Sequence, residues 1–238
     1  MLFLAVFCSF LAENQREHMI EHRRVKESMK EVVENLKYDT IRCQINAWSN
    51  VEIAKGIDSL RDELKKAIRG QINGNALYYF TLRYGGTIGQ AVFNTSAITE
   101  LKNSGSLRYF KNEELQKLIG QLSVAIRNIN DRQELEFQIR IQYLNPIILR
   151  HYDYNFEDQL TQGQVQDLFT VTSAYENNNE MIPFHFKSPA KFDKEEAINL
   201  MSFYGRAGLG ATRRVHYKKY TDVNAELLKL LRKEYHLK

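Results

Sequence analysis

The chain has 238 residues, with 33 Lys and Arg against 29 Asp and Glu, 43% hydrophobic and 26% charged residues, and a formal charge of +4. That length buries a real core, and the composition excludes both a disordered chain and a multi-span membrane protein. Two cysteines, Cys8 and Cys43, without a CxxC partner exclude a disulfide scaffold and a zinc ribbon, and so slight a charge does not by itself imply nucleic acid.

Residues 1–12, MLFLAVFCSFLA, form an uninterrupted apolar run. No basic residue precedes it and no A-x-A site follows, so a cleavable signal peptide is not expected. As a helix the run reaches about 18 Å, short of the ~30 Å hydrocarbon core. It either dips into one leaflet, ends a longer hydrophobic segment, or packs as a core helix of a soluble protein. No polar residue gives it a wet face, which favours a membrane anchor made by Leu2, Phe3, Leu4, Val6, Phe7, Phe10 and Leu11, with lipid as partner. Residues 13–30 contain no glycine or proline, so the helix continues past the run. Arg16, Arg23, Arg24, Lys26 and Lys30 follow it closely, and the positive-inside rule places the bulk of a single-pass chain in the cytoplasm.

No proline occurs before Pro146, which permits long helices. Val25, Met29, Val32 and Leu36, then Ile53, Ile57, Leu60, Leu64 and Ile68, recur at helical spacing and predict a packed stripe. Tyr78, Tyr79, Phe80 and Tyr84 predict an aromatic core group. Residues 87–102 read as a helix, and Asn103 to Asn112 as an elbow that reverses the chain. Asn112, Glu113 and Glu114 suit a helix start. Leu115, Leu118, Leu122, Ala125 and Ile129 continue that helix, which Pro146 ends or kinks. Residues 152–190 read as an irregular loop. Asp193 is the predicted cap of the next helix, with Glu196 three residues on and Phe192 as staple against Ala197. Gly205, Gly208 and Gly210 predict a hinge, and a last helix from Asp222 carries Leu227, Leu228, Leu231 and Tyr235. No strand pattern of useful length occurs. The fold class expected is therefore all-α, a bundle of long antiparallel helices behind the N-terminal membrane-associated helix. Its divisions are residues 1–12 as the end of the anchor, 13–70 as a long amphipathic helix and 71–238 as a helical domain.

Several segments carry a resemblance: Phe10-Leu11-Ala12-Glu13-Asn14, Arg16-Glu17-His18, Glu21-His22-Arg23, Leu36-Lys37, Asp39-Thr40, the elbow LKNSGSLR at 101–108 with Lys111-Asn112-Glu113-Glu114-Leu115, and Lys233-Glu234-Tyr235-His236-Leu237. Their order resembles a bacterial family of small, N-terminally membrane-anchored helical proteins classed as a domain of unknown function. The resemblance covers nearly the whole chain and implies one membrane helix with a largely helical remainder. It carries over no catalytic residue.

For chemistry, His18, Glu21 and His22 formally match H-x-x-E-H, two imidazoles on one helix face with a glutamate as base. Zinc hydrolysis needs a third ligand and a dry, concave site, which a charged helical collar lacks. Gly205 to Gly210 matches neither phosphate-binding glycine motif. Arg206, Arg213, Arg214, Lys218 and Lys219 lie among Tyr204, Tyr217 and Tyr220, a mixture suited to an anionic headgroup or nucleic acid. No nucleophile motif occurs. The leading expectation is a membrane-anchored, non-enzymatic interaction or scaffold protein without cofactor or metal, pairing with a protein partner or itself through helix faces. The alternatives are a peripheral binder of nucleic acid or anionic lipid through the basic C-terminal third, and a metal hydrolase.

Overall fold

The computed structural model describes residues 2–68, 79–85, 90–103, 112–155, 187–188 and 191–237, and every regular element among them is helical. The α-helices are α1 (Leu2–Ile68), α2 (Ser96–Asn103), α3 (Glu113–Ile139), α4 (Asn145–His151), α5 (Lys194–Phe203) and α6 (Lys218–Tyr235). Four wider π-helical segments accompany them: π1 (Thr81–Gly85), π2 (Arg140–Leu144), π3 (Tyr204–Gly210) and π4 (Thr212–Tyr217). The fold class is all-α. The elbow at 104–111, most of the 152–190 loop and Tyr78 lie outside the described residues.

The chain forms two compact units. The first contains Met1–Gln44, Val92–Arg127 and Lys219–Lys238, and the second Ile45–Ala91 and Asn128–Lys218.

In the first unit the predicted stripes are the buried ones: Val25, Met29, Val32 and Leu36 on α1, Leu115, Leu118, Leu122 and Ala125 on α3, and Leu227 and Leu231 on α6. Asn112 starts α3 as its sequence suggests, its Oδ1 accepting the Glu114 and Leu115 N–H groups at 3.0 and 3.2 Å. Residues 90–95, expected to be helical, are not. The reason within this unit is local: both carboxylate oxygens of buried Asp39 take the Asn94 N–H at 3.1 Å, and Asn94 Oδ1 accepts the Ser96 N–H at 3.3 Å where α2 begins. A backbone N–H committed to a distant carboxylate does not join a helix ladder.

In the second unit the core gathers Ile53, Ile57, Leu60 and Leu64 of α1 with Ile139, Leu144, Ala197, Met201, Tyr204 and Leu209. Phe80, Tyr84 and Phe192 pack against it. Gly56 makes room for the aromatic group, since a Cβ there would lie 2.1 Å from the Tyr84 ring. Asp193 caps α5, accepting the Glu196 N–H at 2.9 Å. Pro146 does not end its helix: π2 precedes it and α4 begins around it. A widened turn is one way a helix accommodates a residue with no N–H.

The glycine hinge is also corrected. Residues 194–235 stay helical throughout, with Gly205, Gly208 and Gly210 inside π3 and only Ala211 between π3 and π4. The Thr212 hydroxyl oxygen lies 3.2 Å from the Gly208 carbonyl oxygen, one turn back in the same helical run.

The membrane anchor is overturned. Among the described residues no helix is long and apolar enough to cross a membrane. An 18-residue stretch of α1 from Leu2 already takes in Glu13, Arg16 and Glu17, and charged groups are costly at bilayer depth. The assignment of Leu2, Phe3, Leu4, Val6, Phe7, Phe10 and Leu11 to a lipid-embedded anchor therefore falls, and with it the single-pass topology, its orientation and the lipid partner.

Candidate functional site

The second unit carries a groove of about 620 Å³ between two helical walls. Arg132, Leu135, Gln138, Ile139, Gln142 and Tyr143 of α3 and π2 form one wall, and Glu196, Asn199, Leu200, Phe203 and Ala207 of α5 and π3 form the other. Each wall repeats at three- and four-residue steps, the spacing that brings one helix face to a surface. Ile139 belongs to the core below, whereas Leu135, Tyr143 and Phe203 are 45%, 56% and 52% exposed.

Polar side chains beside the groove hold these helices together. Glu136, buried on α3, accepts a hydrogen bond from the Thr212 hydroxyl. Tyr217 Oη donates to Gln133 Oε1 at 3.3 Å, and the Arg140 guanidinium lies 5.9 Å from the Tyr204 ring centre. Pairing 133 with 217, 136 with 212 and 140 with 204 makes the two strands of helix antiparallel. Arg132 thus sits at the Ala207 end of the groove, and Glu196 at the Tyr143 end. Arg140 also donates to the Gly85 carbonyl, and Gln133 holds both backbone groups of Ala91, at 2.5 and 3.2 Å.

Burial pushes the Glu136 carboxyl above its ordinary range, against the opposing pull of the Thr212 hydrogen bond and the Arg132 charge. Arg132 and Glu196 are the charged side chains that line the groove itself. Arg132 Nε is buried with no hydrogen-bond partner. An orphaned guanidinium N–H is costly, and a carboxylate is the group that satisfies it best.

The residues singled out in the sequence are placed elsewhere. Val6, Phe10 and Leu11 are 62%, 68% and 47% exposed on α1. His18, Glu21 and His22 lie on α1 with side chains outside the described residues. Their neighbours Glu17, Met19, Ile20 and Arg23 are all exposed, leaving no walled site, and no three ligating side chains gather among the described residues. The H-x-x-E-H hydrolase reading is thereby overturned. Arg206, Arg214, Lys218 and Lys219 are exposed, while the Arg213 side chain lies outside the described residues. Tyr204, Tyr217 and Tyr220 are core residues, so they offer no stacking platform for bases. The groove escaped the sequence reading because its walls come from helices some sixty residues apart. Its only linear trace is the repeat of Leu135, Ile139 and Tyr143 beyond the packed stripe.

No family model, curated protein or solved structure matches the chain, and the resemblance to a membrane-anchored bacterial family is set aside on that finding and on the lack of a spanning helix among the described residues.

Proposed function

We propose that the chain is a non-enzymatic interaction module whose α3–α5 groove receives one amphipathic helix of a protein. The observation that carries this reading is the groove itself: two antiparallel helical walls, an apolar floor at Ile139 and exposed Leu135, Tyr143 and Phe203 along the rim. Helix-in-groove recognition uses apolar anchors at helical spacing. The charges select the occupant's direction, placing a carboxylate at the Arg132 end and disfavouring one at the Glu196 end.

The test uses a fluorescein-labelled model helix with leucines at helical spacing followed by two glutamates, titrated by anisotropy. Saturable binding that is lost in a Leu135→Ser plus Phe203→Ser variant supports the reading. Equal binding of a scrambled peptide, or of the model helix by the double variant, overturns it.

A further inference from the structure

We infer that the first unit binds a small phosphate monoester with an apolar organic part, in a cleft between α1 and the chain that leaves α6. The cleft has a volume of about 520 Å³, within the range of small-molecule sites. Lys26, Lys30, Val33 and Glu34 of α1 line it together with His236 and Leu237. A local turn forms its second side. His236 takes a left-handed conformation with φ of 49°, and the Leu237 N–H returns to the Arg232 carbonyl at 3.1 Å. Glycine is the usual residue at that point of a closing helix; histidine in its place brings an imidazole to the cleft.

The charges point to an anion. Several acids of α1 that precede a base by three positions close as ion pairs: Glu13 with Arg16 at 2.6 Å, Glu34 with Lys37 at 2.7 Å, Glu52 with Lys55 at 2.8 Å and Asp62 with Lys65 at 3.3 Å. Glu27 precedes Lys30 by the same step, yet among the described residues the two form no pair. Lys26 has His22 and Arg23 behind it and Met29 and Lys30 ahead, so its own helix face offers it no acid. Two like charges four positions apart repel each other unless an anion lies between them. The acids nearest in sequence are engaged elsewhere, Glu34 with Lys37 and Glu234 with Asn112 at 3.0 Å.

A phosphate monoester carries about −1.5 to −2 near neutrality, close to the charge of the two ammonium groups, and lysine meets it as a point charge. A monocarboxylate leaves one lysine uncompensated. The imidazole supplies a further N–H. Val33 is buried and Leu237 half-buried, an apolar surface that a bare phosphate does not use and an apolar ester group does.

The probe is phenyl phosphate, titrated into the full-length chain labelled with 15N. Saturable shifts should centre on the amides of Val33 and Leu237, inorganic phosphate should bind about fivefold more weakly, and phenol should not bind. Lys26→Gln and Lys30→Gln should each weaken phenyl phosphate binding about fivefold, and together about twentyfold. Lys55→Gln removes the same charge from a lysine paired on the same helix and should leave binding unchanged. All three lysines are exposed, so no substitution removes a core side chain. Failure of phenyl phosphate to saturate, equal binding by the double variant, equal loss in Lys55→Gln, or inorganic phosphate binding as tightly as phenyl phosphate overturns the inference. So does binding of phosphatidic-acid vesicles where phenyl phosphate fails, since a membrane surface would then be the source of the phosphate.

Discussion

Asn224 Nδ2 on α6 donates to the carbonyl oxygen of Leu36 on α1 at 3.1 Å, a bond across 188 positions of sequence. The same nitrogen lies 3.0 Å from Thr40 Oγ1 and 3.1 Å from Tyr220 Oη, in surroundings from which water is excluded. The apolar stripes of α1 and α6 alone would tolerate sliding by a turn; this contact does not. A buried polar group of this kind fixes register between helices. Asn224→Ala should lower stability by about 1–3 kcal/mol, the cost of leaving buried groups unsatisfied. Urea unfolding checks it, and an unchanged midpoint would remove the register role.

Gly56 and Tyr84 provide a steric counterpart in the second unit. A methyl group at 56 would lie 2.1 to 2.4 Å from three atoms of the Tyr84 ring, so the ring must leave its place beside Phe80. Alanine is the better helix former by nearly 1 kcal/mol, and an exposed glycine at this point of α1 would gain from the change. Overpacking costs about 1–3 kcal/mol and wins here. Gly56→Ala should destabilise, and the double change Gly56→Ala with Tyr84→Ala should lose less than the sum of the single effects, by thermal unfolding of the four proteins.

The helical stripes were legible because burial repeats with the period of the helix: Val25 to Leu36, Ile53 to Leu64 and Leu115 to Ile129 all face cores. Caps were legible too, since Asn112 and Asp193 act on residues within three positions. What sequence could not provide is anything fixed by distant partners. The non-helical stretch at 90–95 is held by Asp39 and Gln133, and the π-helical run through three glycines is tied to α3 by Glu136 and Thr212. The apolar run misled for another reason: it stops at Ala12, and Glu13, Arg16 and Glu17 fall within the same 18 residues that a span would need.

Glu136 links stability to pH. Burial raises its carboxyl above the ordinary value of 4.5, and the Thr212 hydrogen bond and the Arg132 charge offset that only in part. Below that value the group is neutral in both the folded and unfolded chain. As pH rises through it, the unfolded chain releases its proton first while the folded chain still holds one, so stability falls until the raised native value is passed. Glu136→Gln keeps an acceptor for Thr212 and has no proton to lose. The variant's stability relative to wild type should therefore increase as pH rises above 4.5. Asp39, also raised by burial, titrates alike in both proteins and cancels in the difference. Denaturant titrations at several pH values give the slope, and a flat difference would mean that the Glu136 carboxyl titrates alike in the folded and unfolded chain.

Gln133 gives the most specific outcome. Its carboxamide accepts the Ala91 N–H and donates to the Ala91 carbonyl, while its Oε1 also receives the Tyr217 hydroxyl. The side chain thereby replaces a backbone neighbour for a buried residue that has no helix or sheet to satisfy it. Gln133→Glu preserves size and both acceptor roles but loses the one donor, leaving the Ala91 carbonyl facing a carboxyl oxygen. At low pH a protonated glutamate restores a donor; at neutral pH the ionised form repels the carbonyl. Because Ala91 is itself buried, the ionised form has no water to turn to. Gln133→Glu should cost about 1–3 kcal/mol near neutrality and much less in acid. Hydrogen exchange at the Ala91 amide separates this from general loosening. Protection there should fall in Gln133→Ala, which removes the acceptor, and persist in Gln133→Glu, which keeps it. Equal loss of protection in both would show that Ala91 is held by its surroundings and not by the carboxamide.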